Sequence, residues 1–421
     1  MITALLWAVL FTPLIISKGT LYPFQTGKAV VFRVLVEIAA FLYAWLIFIE
    51  PKARPKPNKF FWSVLSFGGI LLLTMATGVN PLRSFWGDLE RMEGVFGILH
   101  GIALFVIAYG LFSRKEDWTR FFAVSLSASF FVALYAFAQT DSFFRFFQVV
   151  EVTDVQPGST LGHHSFVATY AMFQIFFGVF IVLLEKGARW RFFGASFSVL
   201  NLILLMLAAS RGAQVAMLVA VGVGIVLALV FVAKNLRTRI VLAGALIAPV
   251  VFFGGIIALK DSPLLKKFPY AFQRMATISF DTPTARTRLI SLQVSWEAFK
   301  ERPILGWGQE NFKAGYSKHF DPEHLTYEQA WFDRAHNKVA EVAVQNGAIG
   351  LARYLTIFVL GFLGMVRLLK WQSSVSEQLL AVGVVMLGTA YFVQNLFLFD
   401  MPMSYVLFFS SLAFAGFLMS G

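Results

Sequence analysis

DSPLLKKFPYAFQRMATISFDTPTARTRLISLQVSWEAFKERPILGWGQENFKAGYSKHFDPEHLTYEQAWFDRAHN, residues 261–337, is one long polar stretch in a chain otherwise made of apolar runs. It holds Arg286, Arg288, His319, His324, Asp333, Arg334 and His336. Irregular backbone is not tolerated against lipid, and short turns suffice to join membrane helices, so a segment this long needs a task beyond connection. Its Arg and His content predicts the catalytic or binding part of a membrane enzyme.

Around that stretch the composition is that of a membrane protein. The chain has 421 residues, 58% hydrophobic and 14% charged, with mean hydropathy +0.72. Soluble domains carry about 25% charge. Apolar runs of the length that crosses ~30 Å of hydrocarbon occur near 2–17, 29–49, 60–78, 94–112, 119–139, 163–185, 190–209, 212–233, 239–259, 349–369, 377–398 and 402–420. They are too long and too uniformly apolar for barrel strands. The expected architecture is therefore all-α and polytopic, with about twelve transmembrane helices and one large loop containing short helices. Residues 1–260 carry nine spans, 261–337 the loop, and 338–421 three more. Residues 1–17 lack a basic leader and a small-residue cleavage site, which predicts a first span and not a signal peptide. The 48 Phe suit the core, lipid contact or the lining of a lipid groove equally well.

Composition also excludes chemistry. With no cysteine there is no disulfide, thiolate metal site or Cys nucleophile. The net charge of +12 does not imply nucleic acid, because the basic residues sit in short loops. Phosphate-binding glycine loops, dinucleotide fingerprints and GxSxG elbows are all missing, which disfavours nucleotide-driven transport.

Basic residues cluster at Lys52, Arg54, Lys56 and Lys59, at Lys186, Arg189 and Arg191, at Lys234, Arg237 and Arg239, and at Arg367 and Lys370. With twelve spans and a cytoplasmic N-terminus all four clusters fall inside, as the positive-inside bias requires. Alternate loops balance Asp88, Glu90 and Glu93 against Arg83 and Arg91, and Asp141, Glu151 and Asp154 against Arg145. The same count leaves both termini in the cytoplasm and the 261–337 loop outside the cytoplasmic (inner) membrane.

Within the loop, Leu289, Leu292, Trp296 and Phe299 recur at helical spacing up to Pro303. They predict an amphipathic helix lying on the membrane or packed over the bundle. A second helix is expected from His336-Asn337 through Glu341 and Val344 to a cap at Asn346-Gly347.

Several residues carry candidate chemistry. Arg211, in AASRGAQVA between two apolar runs, runs against the charge bias. Ser210 can cap the helix behind it, and the free N–H groups there suit an anion; the plainer reading is snorkelling to lipid phosphate. Arg286 and Arg288 suit phosphate or anchor to head groups. His336 is either a proton acceptor near neutral pH or a capping residue. His163 and His164 point to different helix faces, so they do not share a metal, and His319 and His324 show no zinc spacing. Glu341 reads as solvated or paired. Glu90, Arg91 and Glu93 line an outer loop and either support the site or pair with one another. Asp400, at an outer turn, is expected near the site, orienting a base or acceptor.

The run Arg288…Glu301-Arg302-Pro303-Ile304-Leu305-Gly306-Trp307-Gly308-Gln309-Glu310-Asn311-Phe312, then Ala335-His336-Asn337 and Glu341…Asn346-Gly347-Ala348-Ile349-Gly350, resembles the signature of the O-antigen ligase superfamily. Ser210-Arg211-Gly212 resembles its earlier Arg motif, and the likeness spans roughly residues 150–400. His163-His164 stand where the family usually has an Asn-containing turn. The resemblance implies a GT-C-like glycosyltransferase of lipopolysaccharide biosynthesis or a related cell-envelope polysaccharide. Its donor would be a glycan on undecaprenyl diphosphate, and its acceptor a hydroxyl on glycan, lipid core or protein. It implies metal-independent, cofactor-free, inverting transfer. By position, Arg211 and Arg288 would hold the diphosphate and His336 would be the general base, with Arg286, Glu90, Arg91, Glu93, His164, Asn337 and Asp400 as supporting candidates. A polysaccharide polymerase and a protein O-oligosaccharyltransferase share this chemistry. A lipid-glycan transporter is the rival of another class, against which stand the few charges within the spans.

Overall fold

In the computed structural model, residues 1–140, 156–276, 282–372 and 374–420 are described. Among these residues every regular element is helical. The helices are α1 (Ile2–Val9), α2 (Thr26–Ile49), α3 (Lys59–Thr77), α4 (Pro81–Trp86), α5 (Val95–Leu111), α6 (Lys115–Thr140), α7 (His164–Leu184), α8 (Ala188–Ala208) and α9 (Arg211–Leu227, extended by a π turn to Val232). They continue as α10 (Leu236–Ala258), α11 (Tyr270–Ala276), α12 (Pro283–Glu301), α13 (Phe312–Lys318), α14 (His324–Tyr327), α15 (Lys338–Trp371), α16 (Val375–Gln394) and α17 (Pro402–Ser420). Ten of them are long and apolar enough to cross a membrane, and two shorter apolar helices, Ile2–Leu14 and Val95–Leu111, stand where further spans were expected.

Local sequence starts these helices where it should. Asn58 accepts from Phe61 N at 2.9 Å, Asn235 from Thr238 N at 2.8 Å, and Asn337 from Ala340 N at 3.0 Å. Each satisfies a backbone N–H that the first helical turn cannot. Many Phe side chains turn inward. Phe122 stacks within 4.6 Å of Phe177, 4.9 Å of Phe414 and 5.6 Å of Phe180. All four are almost fully buried, so much of the aromatic content is core.

Helix parity sorts the connections onto two faces. One face gathers 10–25, 78–94, 209–210, 259–337 and 395–401; we call it the polar face. The opposite face carries Lys52, Arg54, Lys56, Lys59, Lys186, Arg189, Arg191, Lys234, Arg237, Arg239, Lys370 and, in the last turns of α15, Arg367. Asp141, Arg145, Glu151 and Asp154 lie outside the described residues.

The amphipathic helix exists as α12, but it turns a different face inward. Thr287, Ile290, Ser291, Val294, Ser295 and Ala298 are buried, whereas Leu289 and Trp296 are exposed. Small side chains let α12 approach α15 and α13 closely, and the bulky residues are left on the outer flank.

Candidate functional site

A break in α15 builds the floor of the site. Gly347 has φ 65° and ψ −170°, so the helix stops and restarts there. That frees the carbonyls of Val344 and Gln345, which accept from Trp307 N at 2.9 Å and Gly308 N at 2.7 Å. On the other side of the break, Ala348 N donates to Pro303 O at 2.7 Å. The turn 303–308 thus plugs the gap in the helix. Trp307 Nε1 donates to Ala298 O at 2.9 Å, which ties the same turn to α12. A Cβ on Gly306 (φ 71°) would meet the Gln345 carbonyl at 2.5 Å, so glycine is required there.

Beneath the site lies a buried ion network. Arg334, 1% exposed, meets Glu93 at 3.2 Å, Glu310 at 2.6 Å and Glu341 at 2.9 Å. Lys338 donates to Glu341 at 2.9 Å and Tyr405 at 3.0 Å, and lies 3.7 Å from Asp400. Asp400 accepts from Tyr391 at 2.7 Å and Ser404 at 2.9 Å. Burial opposes the Arg334 charge, but Glu310, Glu341 and Glu93 more than offset it and hold the guanidinium well above its ordinary value. Burial pushes the Glu93 carboxyl well above the carboxylate range against the pull of Arg334, and raises Glu310 in the same way.

His336 sits midway between those two anchored cations, in the left-handed region at φ 50°. A non-glycine residue there costs on the order of 1–3 kcal/mol and persists only when its surroundings enforce it. Here Arg334 and Lys338 do so, both joined to Glu341. The imidazole packs between Phe332 and Phe399, with ring centres 4.4 and 5.2 Å away. Among the described residues its Nδ1 is buried without a hydrogen-bond partner. Burial first, and then the Arg288 charge, push its pKa down to about 4. His336 is therefore neutral at pH 7.

Around it stands a group of guanidiniums. Arg288 is half-buried and forms no hydrogen bond or ion pair with the described residues. Burial and the Arg211 charge both lower its pKa, with Glu328 opposing. Arg211 heads α9 in turn within electrostatic reach of Arg274, and Arg274 within reach of His164. Gln156 accepts from Arg274 at 2.5 Å and donates to Ala208 O at 2.9 Å and Ala209 O at 3.1 Å. That bond chain ties Arg274 to the turn that presents Arg211. Ser210 occupies the N-cap position but makes no capping bond with its side chain, so the cap expected there is not formed.

The remaining expected residues divide. Arg91 stacks on Phe399 at 4.5 Å and pairs with Asp333, with Glu90 and Asp88 at 3.4 and 3.9 Å. It lies beside His336. Glu93 and Asp400 belong to the buried network, bonded to Arg334 and to Tyr391, Asn395, Ser404 and Lys338 respectively. Asn337 caps α15 and donates to Leu396 O at 3.3 Å. Arg286 is exposed on the outer flank of α12. His163 and His164 do not point apart: their rings lie 4.2 Å from each other. The reason is that His163 is extended, at φ −148°, and precedes the helix. His319 pairs with Glu301 at 3.0 Å, and His324 is held by Tyr316 and Ala330 O at 3.1 Å each, so both are structural.

Sequence reasoning missed Arg274 and the Arg334–Lys338 network. Arg274 has no motif around it. The network had one legible sign, charges at 334, 338 and 341 beside an apolar run, but its partners Glu93, Glu310 and Asp400 are remote in sequence. Chemically, Arg211 set within electrostatic reach of both Arg274 and Arg288 suits a multiply charged anion. A neutral imidazole beside them can take a proton from a hydroxyl.

A family model described as O-antigen ligase matches residues 196–355. That stretch contains Arg211, Arg274, Arg288, Arg334, His336 and Glu341, and leaves Arg91, Glu93, Phe399 and Asp400 outside it. No curated protein matches the chain.

Proposed function

We propose that the chain, whose residues 196–355 match a family model described as O-antigen ligase, acts as a member of that superfamily and transfers a glycan from an undecaprenyl-diphosphate carrier to an acceptor hydroxyl at the outer face of the cytoplasmic membrane. Membership makes it a membrane glycosyltransferase of the O-antigen ligase or polymerase kind; the carrier, the base and the orientation are the proposal. One observation carries it: Arg211, Arg274 and Arg288 are electrostatically coupled next to a buried neutral His336.

Transfer breaks the bond between the sugar C1 and the diphosphate oxygen and leaves negative charge on that oxygen. Fixed guanidiniums stabilise this charge without reorganisation, each worth a few kcal/mol of barrier, about 2.7–4 in comparable sites. They do the work that a metal ion does elsewhere, and the energy of the diphosphate makes a nucleotide unnecessary. His336 accepts the proton of the attacking hydroxyl, a contribution of ~10²–10⁴-fold. Attack from the face opposite the leaving group inverts C1. Donor binding also tunes the base: burial, the larger cause of the His336 depression, stays, but an anion paired with Arg288 cancels the second cause, and the pKa rises from its lowered value.

Product analysis tests the reading. Purified protein in proteoliposomes should discharge undecaprenyl-diphosphate oligosaccharide and glycosylate an acceptor. A single transferred block on a lipid core marks a ligase, a ladder of lengths on the carrier a polymerase, and glycosylated Ser or Thr a protein transferase. Movement of intact lipid-linked glycan across the bilayer with no covalent product would instead make it a transporter.

A further inference from the structure

Of the membrane helices, α10 holds least to the bundle. Only 6% of its apolar window is buried, against 22–72% for the other nine long spans. Between it and α9 runs an apolar cavity of about 180 Å³, walled by Leu218, Gly222 and Ile225 on one side and Leu246, Pro249 and Phe253 on the other. An apolar cavity of roughly 150 Å³ is enough to hold a benzene ring.

The position of this groove is informative. Arg211, Leu218, Gly222 and Ile225 fall at i, i+7, i+11 and i+14, which places them on one face of α9. At 1.5 Å per residue the groove starts about 10 Å below Arg211 and reaches about 21 Å. Its other wall is linked to the cation group as well, because Phe252 of α10 packs against Phe272 of α11 with ring centres 5.6 Å apart, and α11 carries Arg274. Gly222 keeps the slot open: a Cβ there would point across it to Leu246, 3.9 Å away.

We propose that the α9–α10 groove holds the stretch of the donor's polyprenyl chain that follows its first two isoprene units, while Arg211 and Arg274 hold the diphosphate above. This rests on the proposed function and adds where the lipid lies. It places the chain between helices with few aromatic residues, away from the Phe-rich spans. The groove lies on the face of α9 that Arg211 heads and is lined by apolar residues, so a long lipid laid along it would carry its head group to the cations.

Binding of two probes tests this, measured on the full chain in nanodiscs: a disaccharide on undecaprenyl diphosphate, and the same disaccharide on geranyl diphosphate. Gly222→Trp fills the slot, and Leu246→Trp fills it from the other wall should the first variant fold poorly. Either is expected to weaken the long-chain probe about tenfold, the worth of one or two buried methylenes, and to change the short-chain probe much less, because that chain ends near the upper rim. Equal weakening of both probes, or none of either, overturns the groove assignment and marks it as a slot for bulk acyl chains. Arg288→Gln serves as the separate arm. It should weaken both probes alike, and if it does not, the diphosphate reading fails whatever the groove does.

Discussion

The Arg288 charge adds to burial in lowering the pKa of His336, and that coupling gives the mechanism a measurable signature. The folded-state pKa of His336 is about 4, below the ordinary ~6.5, so the free base persists as pH falls through the intervening range. The acid limb of kcat/KM, which reports the free enzyme, should therefore lie near the depressed value. The limb of kcat, which reports the loaded enzyme, should lie higher. Removing the Arg288 charge by Arg288→Gln should move the kcat/KM limb upward towards that of kcat; coincident limbs in wild type and variant would remove the coupling. The network below makes a second residue-scale prediction. Two cations, Arg334 and Lys338, face four carboxyls, Glu93, Glu310, Glu341 and Asp400, and Glu93 is pushed well above its ordinary range. Burial thus works against the Glu93 charge, and Glu93→Gln, which keeps the shape and removes the charge, should lower the melting temperature less than loss of the central cation does. Arg334→Met strips the central cation from buried carboxyls and should cost about 3–5 kcal/mol. Thermal unfolding in detergent distinguishes the two, and equal losses would contradict this ranking of the buried charges.

At the scale of elements, the turn 303–308 and the break at Gly347 form one unit, each supplying what the other leaves unsatisfied. Gly347 has positive φ, and a side chain there would strike the Ile304 carbonyl. Gly347→Ala should therefore destabilise by at least the ~1–3 kcal/mol of a strained backbone residue and also lower activity, because the helix it truncates begins right after His336. Ala352→Ser, in the uninterrupted part of α15, should do neither. The glycine cap at 346–347 and the start at Asn337 were legible because caps and breakers act locally. That the turn inserts into the break was not legible, because hydrogen bonds between 303–308 and 344–349 leave no periodic trace. The wrong face of α12 has a physical cause too. Hydropathy favours Leu289 and Trp296 as the packed side, but close approach to another helix favours Thr287, Ser291, Ser295 and Ala298. An overpacked variant such as Ala298→Leu should cost about 1–3 kcal/mol, and a neutral outcome by thermal unfolding would speak against close packing there.

Over the whole molecule, spans and parity were readable because a long apolar run has few alternatives, and the two faces follow from the count. Convergence of the site was not readable. Arg211, Arg274, Arg288 and His336 come from four segments, and only Arg211 and the Arg288–His336 stretch lie in recognisable motifs. Orientation is open to a direct check, since the chain has no cysteine. Single cysteines at Lys300 on the polar face and Lys56 on the basic face should label oppositely with an impermeant maleimide in intact cells, Lys300→Cys from outside and Lys56→Cys only after lysis. The reverse pattern would invert the assigned topology. The central claim is that the cations and His336 act together on a lipid diphosphate. Single-turnover transfer from undecaprenyl-diphosphate glycan in proteoliposomes, comparing wild type with His336→Ala, Arg211→Ala and Arg288→Ala, tests it most directly. The account predicts that each variant folds and is slowed by at least ~10²-fold; transfer at the wild-type rate in all three would contradict it.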